Sequence, residues 1–369
     1  MDEHKYTIQG LEEYIRQGEL QQKERGQAWQ TAIGLQQVDG LKTSAYLLDT
    51  ARQHIEGAIT IEEAKVLIDS YYKSEGVRKN MDNERTEEAD KVAARITELL
   101  SEKTFNFSPA QLISIHRRLF TGIYKFAGQI RDYNITKKEW VLNGDTVYYS
   151  SADTISETLE YDMKQERDFD YSGMPIDAAI KHLTRFCSNL WQIHAFGEGN
   201  TRTTAVFMIK YLRTLGFDVN NDVFAAHSWY FRNALVRANY SNLKNKITET
   251  IKFLELFFRN MLLEEFTPLR NRELHIDWDE KMSAQSATET VQSANYQDKL
   301  PSKCKNCTLE EMAVIRIIQQ EPSVTQKQIA TLVGKSERTV KTITVRLAQA
   351  GIIQRMNGKR DGFWKIIDN

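Results

Sequence analysis

Between two stretches of helical apolar spacing the chain runs His194-Ala195-Phe196-Gly197-Glu198-Gly199-Asn200-Thr201-Arg202-Thr203, and this run constrains the fold more than any other. Upstream, Ile176, Ala179, Ile180, Leu183, Phe186, Cys187 and Leu190 recur at three- and four-residue intervals, the pattern of a helix burying one face. Downstream, Val206, Ile209, Tyr211 and Leu212 form a second stripe, which Gly216 ends as a C-cap. The polar run is therefore expected to be a helix-to-helix turn.

Such a turn suits phosphate. The N–H groups opening the second helix, with the positive end of its dipole, attract phosphate oxygens. Gly197 and Gly199 let the backbone curl, because glycine accepts positive φ without a Cβ clash. Arg202, in the first turn, can fork onto further oxygens. Glu198 would repel phosphate unless a divalent cation bridged the two, and magnesium commonly joins one carboxylate to substrate phosphates. His194 carries the side chain whose ordinary pKa suits a general base near neutral pH. Singly, each residue has a commonplace reading. Together they describe nucleotide phosphoryl or nucleotidyl transfer.

At these residues the chain resembles the Fic family, whose signature is His-Pro-Phe-x-Glu/Asp-Gly-Asn-Gly-Arg; His194, Phe196, Glu198, Gly199, Asn200 and Arg202 match it in spacing. The resemblance implies that His194 deprotonates a target hydroxyl and that Glu198 holds Mg2+. It also implies that Gly199, Asn200 and Arg202 cradle the phosphates of ATP, with Phe196 anchoring the loop; the turn itself adds Gly197 and Thr201 to the expected nucleotide-binding residues. The implied reaction moves AMP from ATP to a Ser, Thr or Tyr hydroxyl of another protein and releases pyrophosphate. Leu119 to Arg131 is similar to the family's Leu-Phe-x-x-x-Tyr-x-Trp-Ala-Gly-x-x-Arg segment. Trp140-Val141-Leu142 and Thr146-Val147-Tyr148-Tyr149, around the turn-forming Asn143-Gly144-Asp145, predict a hairpin. In the family such a hairpin is the flap that clamps the target. The signature also departs from type: Ala195 replaces proline, Thr201 replaces the second glycine, and Ala205 stands where many members carry a second arginine. The Thr201 hydroxyl can serve instead as an N-cap or phosphate donor.

Leu41 to Ile55 reads as a helix stopped by Gly57, and Thr60-Ile61-Glu62-Glu63 as a capping box opening the next one. Arg52 to Gly57 is similar to the family's inhibitory motif, Ser/Thr-x-x-x-Glu-Gly/Asn, with Arg52 in the hydroxyl position. The resemblance implies that Glu56 and Gly57 lie over the nucleotide pocket. With Ala205 in place of the usual partner, Glu56 is expected to pair with Arg202.

At the C-terminus three short helical patterns, capped by Thr325 and Ser336 and closed by Gly351, precede strand-like Ile352-Ile353 and Phe363 to Ile366. That order resembles a winged helix-turn-helix. From Lys335 to Lys365 eight basic residues face two acidic ones, although the whole chain is formally −1. Arg338, Thr339, Lys341 and Thr342 front the candidate recognition helix, with Lys359 and Arg360 on the wing, so duplex DNA is the expected ligand. The competing reading is a protein-interaction module with solvated lysines.

With 369 residues, 41% of them hydrophobic, the chain has length for two or three domains. They are placed as an N-terminal helical region (1–104, inhibitory helix 41–57), a Fic catalytic domain (105–266), a linker (267–305) and the winged helix (306–369). The expected fold is mainly α, a Fic-type helical core with a small β-hairpin flap plus a C-terminal winged-helix domain. No stretch is apolar enough to span a bilayer and the charged start Met1-Asp2-Glu3-His4-Lys5 is unlike a signal peptide, so a cytoplasmic location is expected, without membrane partners. Three cysteines are too few for a disulfide framework, and Cys304-Lys305-Asn306-Cys307 lacks a second ligand pair for zinc. The sequence leaves room for a homo-oligomer. A protein adenylyltransferase restrained by an N-terminal glutamate fits best. The alternatives are a DNA-binding regulator or toxin–antitoxin component that binds nucleotide with little turnover, and a Fic enzyme transferring another phosphate-containing group.

Overall fold

The computed structural model describes residues 20–74, 84–217, 219, 223–278, 307–357 and 362–367. The N-terminal helices are α1 (Leu20–Gly34), α2 (Ala45–Glu56), α3 (Ile61–Lys73) and α4 (Glu84–Ser101). Their ends follow local chemistry. Ser44 caps α2 by accepting from the Leu47 N–H, and Gly57, at φ 79°, stops it. Thr60 and Glu63 form the expected capping box on α3. Gly34 ends α1 where a Cβ would lie 2.3 Å from the Ala225 Cα, so glycine permits close contact with a later helix.

The central body comprises α5 (Pro109–Phe120), α6 (Ile155–Arg167), α7 (Ile176–Ile193), α8 (Asn200–Thr214), α9 (Val223–Ala238) and α10 (Lys252–Leu263). Ser108 caps α5 with Pro109 at its first position, as the sequence predicts. The α7 stripe is buried throughout, while α8 is buried on every face from Asn200 to Leu212 and so runs through the centre. A helix enclosed in this way is apolar all round or has its polar groups paired. Here Lys210 Nζ donates to the Leu99 and Glu102 carbonyls, at 2.6 and 2.8 Å, and Arg213 donates to Leu100. These bonds satisfy carbonyls at the end of α4 and join α8 to the N-terminal helices.

The C-terminal unit has α11 (Leu309–Gln320), α12 (Gln326–Leu332) and α13 (Glu337–Gln349), followed by β1 (Ile353–Met356) and β2 (Phe363–Ile366). The strands pair antiparallel, Ile353 opposite Ile366. Trp364 is buried and donates from Nε1 to the Val324 carbonyl, tying the sheet to the helices. The unit is joined to the body at the start of α7: the Ile176 N–H donates to the Cys307 carbonyl and Pro175 bridges Thr308.

Two sequence expectations need correction. The flap is not a β-hairpin. Trp140–Leu142 forms a 3-10 turn, closed by bonds between Glu139 and Asp145, and no strand is formed over 132–151. Val141, Leu142 and Val147 are drawn into the core, which spends the side chains a free hairpin would keep on one face. Nor does a linker begin at 267. Leu269 and Leu274 are buried, the Ile276 N–H donates to the Val141 carbonyl, and Asn143 bonds Asp277, so 267–278 braces the flap. Residues 279–306, including Cys304, lie outside the described residues.

Candidate active site

His194 is the C-cap of α7, in the left-handed region at φ 50° and ψ 56°. The conformation turns the chain sharply out of α7 into the loop 195–199 and costs a non-glycine residue on the order of 1–2 kcal/mol. Arg131 secures it. Its Nε donates to the His194 carbonyl at 2.8 Å, its other nitrogens reach the Tyr133 and Ser150 carbonyls, and its own N–H donates to Ala195. One guanidinium thus fixes the active loop relative to the flap.

The His194 ring is 3% exposed and packs against Tyr149, at 4.1 Å between centroids, and Trp191. Nδ1 lies 3.3 Å from the Trp191 carbonyl, which needs a donor, so the proton belongs there. Nε2 is left as an acceptor, buried and without a hydrogen-bond partner. Burial, then the positive charges of Lys137, Arg131 and Arg232, push the imidazole well below its ordinary value of 6.5. At neutral pH the ring is neutral and able to take a proton.

The loop closes on itself. Asn200 Oδ1 accepts from the Phe196 N–H and its amide donates to the Phe196 carbonyl, at 2.9 and 2.7 Å. Thr201 Oγ1 accepts from Trp191 Nε1 at 3.0 Å. Both side chains expected at phosphate are therefore used to shape the loop, and Thr201 is not the cap. The helix N-cap is Gly199, at φ 75°, and no side chain caps this end of α8. A Cβ on Gly199 would sit 2.4 Å from the Phe120 ring. Gly197 lies beneath the Tyr133 hydroxyl and the Phe126 ring.

His116, which the sequence reading passed over, holds the loop from below. Its ring stacks on Phe196 with centroids 3.8 Å apart. Nδ1 accepts from the Gly128 N–H at 2.8 Å, so Nε2 carries the proton and donates to the Glu198 carbonyl at 3.0 Å. Burial lowers its pKa to about 4, which keeps this donor–acceptor pairing intact at neutral pH. A signal did exist: His116 occupies a core position in the stripe of Leu112, Ile115 and Leu119.

Glu198 points outward with 53% of its side chain exposed, and its Oε2 meets Lys137 Nζ at 2.8 Å. Among the described residues no cluster of three or more His, Cys, Asp or Glu could hold a metal alone. A single accessible carboxylate at a helix N-terminus fits a magnesium ion that takes its remaining ligands from phosphates and water.

Arg202 departs from expectation. It is fully buried, with Nε 2.8 Å from Asp39, Nη2 on Glu88 and the Tyr124 hydroxyl, and Nη1 on Gln36, while its guanidinium rests over the Phe120 ring. A phosphate approaching it would meet two carboxylates. Glu56 is not among these partners, which corrects the expected Glu56–Arg202 pair. Glu56 is exposed at the end of α2, where Arg25 bonds the His54 carbonyl and Trp29 bonds the His54 ring. Gly57 caps that end in the left-handed conformation.

On α13, Arg338, Lys341 and Thr342 are exposed and Thr339 is half-buried. Lys359 and Arg360 lie outside the described residues.

The model of the Fic/DOC family matches residues 106–212, and that of the winged helix-turn-helix DNA-binding family matches 311–354. The protein adenylyltransferase VbhT of Bartonella schoenbuchensis is 23% identical over 200 residues, 54% of this chain and 40% of that protein. The chain thus spans well under half the length of this curated relative. A Fic family protein from Desulfovibrio desulfuricans G20 is similar at a TM-score of 0.43 and 11% identity, covering 100% of this chain and 97% of that one. Residues 106–212 are a Fic/DOC domain, and the same chain carries a winged helix-turn-helix domain at 311–354.

Proposed function

We propose that this protein transfers AMP from ATP to a Ser, Thr or Tyr hydroxyl of another protein. The observation that carries the reading is His194 Nε2, a neutral, buried acceptor with no hydrogen-bond partner among the described residues, separated from the uncapped start of α8 by the loop 195–199. The hydroxyl oxygen attacks the α-phosphorus, its proton passes to Nε2, and the bond to the β-phosphate breaks to release pyrophosphate. The unpaired N–H groups opening α8 stabilise the developing charge, an effect of the kind worth about 3–4 kcal/mol per donor in oxyanion sites. Glu198 is the residue to hold Mg2+, which when bound neutralises the phosphates. The exposed Tyr148 and Trp140 of the flap, beside Tyr149 on the His194 ring, offer the acceptor protein an aromatic surface.

The winged helix-turn-helix supports duplex DNA as a second partner, through Arg338, Lys341 and Thr342. A regulator with slow turnover is the second reading, favoured by the capture of Arg202 by Asp39 and Glu88. Any restraint from the N-terminal region then runs through these two carboxylates. Incubation with α-labelled ATP, magnesium and lysate, for wild type and His194→Ala, decides between them. Incorporation that disappears in the variant supports transfer. Label persisting in His194→Ala rejects the base, and labelling from γ-labelled ATP instead identifies phosphoryl transfer.

A further inference from the structure

We propose that Lys137, on the flap side of the loop, is the phosphate-binding cation of this site. The inference rests on the nucleotide reading above and replaces the cation that the signature implies. Arg202 is enclosed by Gln36, Asp39, Glu88 and Tyr124, and position 205 is alanine, so neither motif position offers an available positive charge. Two other arginines near His194 are committed elsewhere. Arg131 serves the His194, Tyr133 and Ser150 carbonyls. Arg232 grips both oxygens of the buried Glu139, at 2.7 and 3.1 Å.

Lys137 differs from all of these. Its side chain keeps 24% of its surface in water, and its ammonium rests on Glu198 Oε2 at 2.8 Å. The carboxylate is itself half-exposed, so the pair is at the rim of the site and not sealed within it. An ammonium has three donors, of which this contact uses one. Its backbone is steadied by the Lys137 N–H on Thr146 Oγ1, at 3.3 Å, which leaves the four-carbon stem to move. Its charge also reaches His194, where it ranks after burial among the causes of the depressed imidazole pKa. One ammonium therefore touches the carboxylate and acts on the base through its charge, and Glu198 directly precedes Gly199, the N-cap of the uncapped end of α8. Lysine commonly binds phosphate as a point charge in this way. In the free protein Glu198 holds the lysine in place; polyphosphate gives it a second anion while leaving Glu198 Oε1 for a metal.

The alternative is that Lys137 only neutralises Glu198. Calorimetric titration of the full-length protein with ATP, with adenosine as the phosphate-free probe, separates the two, using Lys137→Met, Lys137→Arg, Glu198→Gln and the Lys137→Met/Glu198→Gln double variant. A lost charge-assisted bond weakens ATP binding by about 10- to 100-fold in Lys137→Met. Lys137→Arg keeps most of the affinity, adenosine binding does not change, and the methionine effect persists when Glu198 is already glutamine. ATP affinity of Lys137→Met within about twofold of a wild type that binds ATP overturns the lysine assignment alone. So does an effect that vanishes in the Glu198→Gln background. A wild type that binds neither ATP nor adenosine overturns the nucleotide site and the lysine together.

Discussion

Replacing Arg202 with methionine tests whether this signature residue works as a strut. The side chain is fully buried, and Asp39 and Glu88 both converge on it with 24% and 13% of their side chains exposed. Removing one member of a buried ion pair costs about 3–5 kcal/mol, because the partner is left charged and unpaired. Partial hydration of Asp39 and Glu88 softens that penalty, giving an expected loss of about 2–4 kcal/mol. The same reasoning makes the anions the source of the damage. The triple variant Arg202→Met, Asp39→Asn, Glu88→Gln should therefore regain at least half of the loss, since no unpaired charge remains. Urea unfolding followed by tryptophan fluorescence reports on this region, because Trp29 in α1 and Trp191 in α7 are both buried. A single variant within about 1 kcal/mol of wild type, or a triple variant no more stable than the single, refutes the strut.

Three further outcomes are expected. For His116, the unfolded imidazole takes a proton near pH 6.5, whereas the folded one resists until about 4, so stability falls as pH drops through this window by on the order of 3 kcal/mol; His116→Asn should lose that part of the pH slope in unfolding experiments, and an unchanged slope would contradict it. Gly199→Ala combines a left-handed φ of 75° with a Cβ 2.4 Å from the Phe120 ring. It should destabilise by about 2–5 kcal/mol and disrupt nucleotide binding, and wild-type stability in a thermal melt would show the loop can relax. Lys341→Ala should weaken duplex DNA binding across sequences and reduce the log–log salt slope by about one, measured by anisotropy with the full chain; an unaltered slope would place the phosphate contact elsewhere.

What the sequence made legible was local. Thr60 with Glu63, Ser108 with Pro109, Thr325 and Ser336 all cap the helices they were expected to open, since such signals act within one turn. The stripe ending at His194 and the glycine bend after it were likewise readable from spacing. What remained hidden depends on partners far apart in the chain. Arg202 meets Asp39 and Glu88, Lys137 meets Glu198, and His116 reaches the Glu198 carbonyl, none within one element. No periodicity encodes such meetings. The flap misled for a related reason: β-prone Val141, Leu142 and Val147 are also good core residues, and the core claimed them. Glu56 ends a helix that the spacing predicts, whereas Asp39, in the turn after α1, is the N-terminal acid that meets Arg202 Nε.

The helix that ends in the proposed proton acceptor begins at the seam with the winged-helix unit. Ile176, its first residue, hangs from the Cys307 carbonyl, and His194 is its last cap. Eighteen residues make it a beam of about 27 Å. Cutting the chain before residue 307 would thus do more than discard the C-terminal unit, because it would also unbolt the far support of that beam. Measurements on a truncated catalytic piece would report on a differently mounted helix.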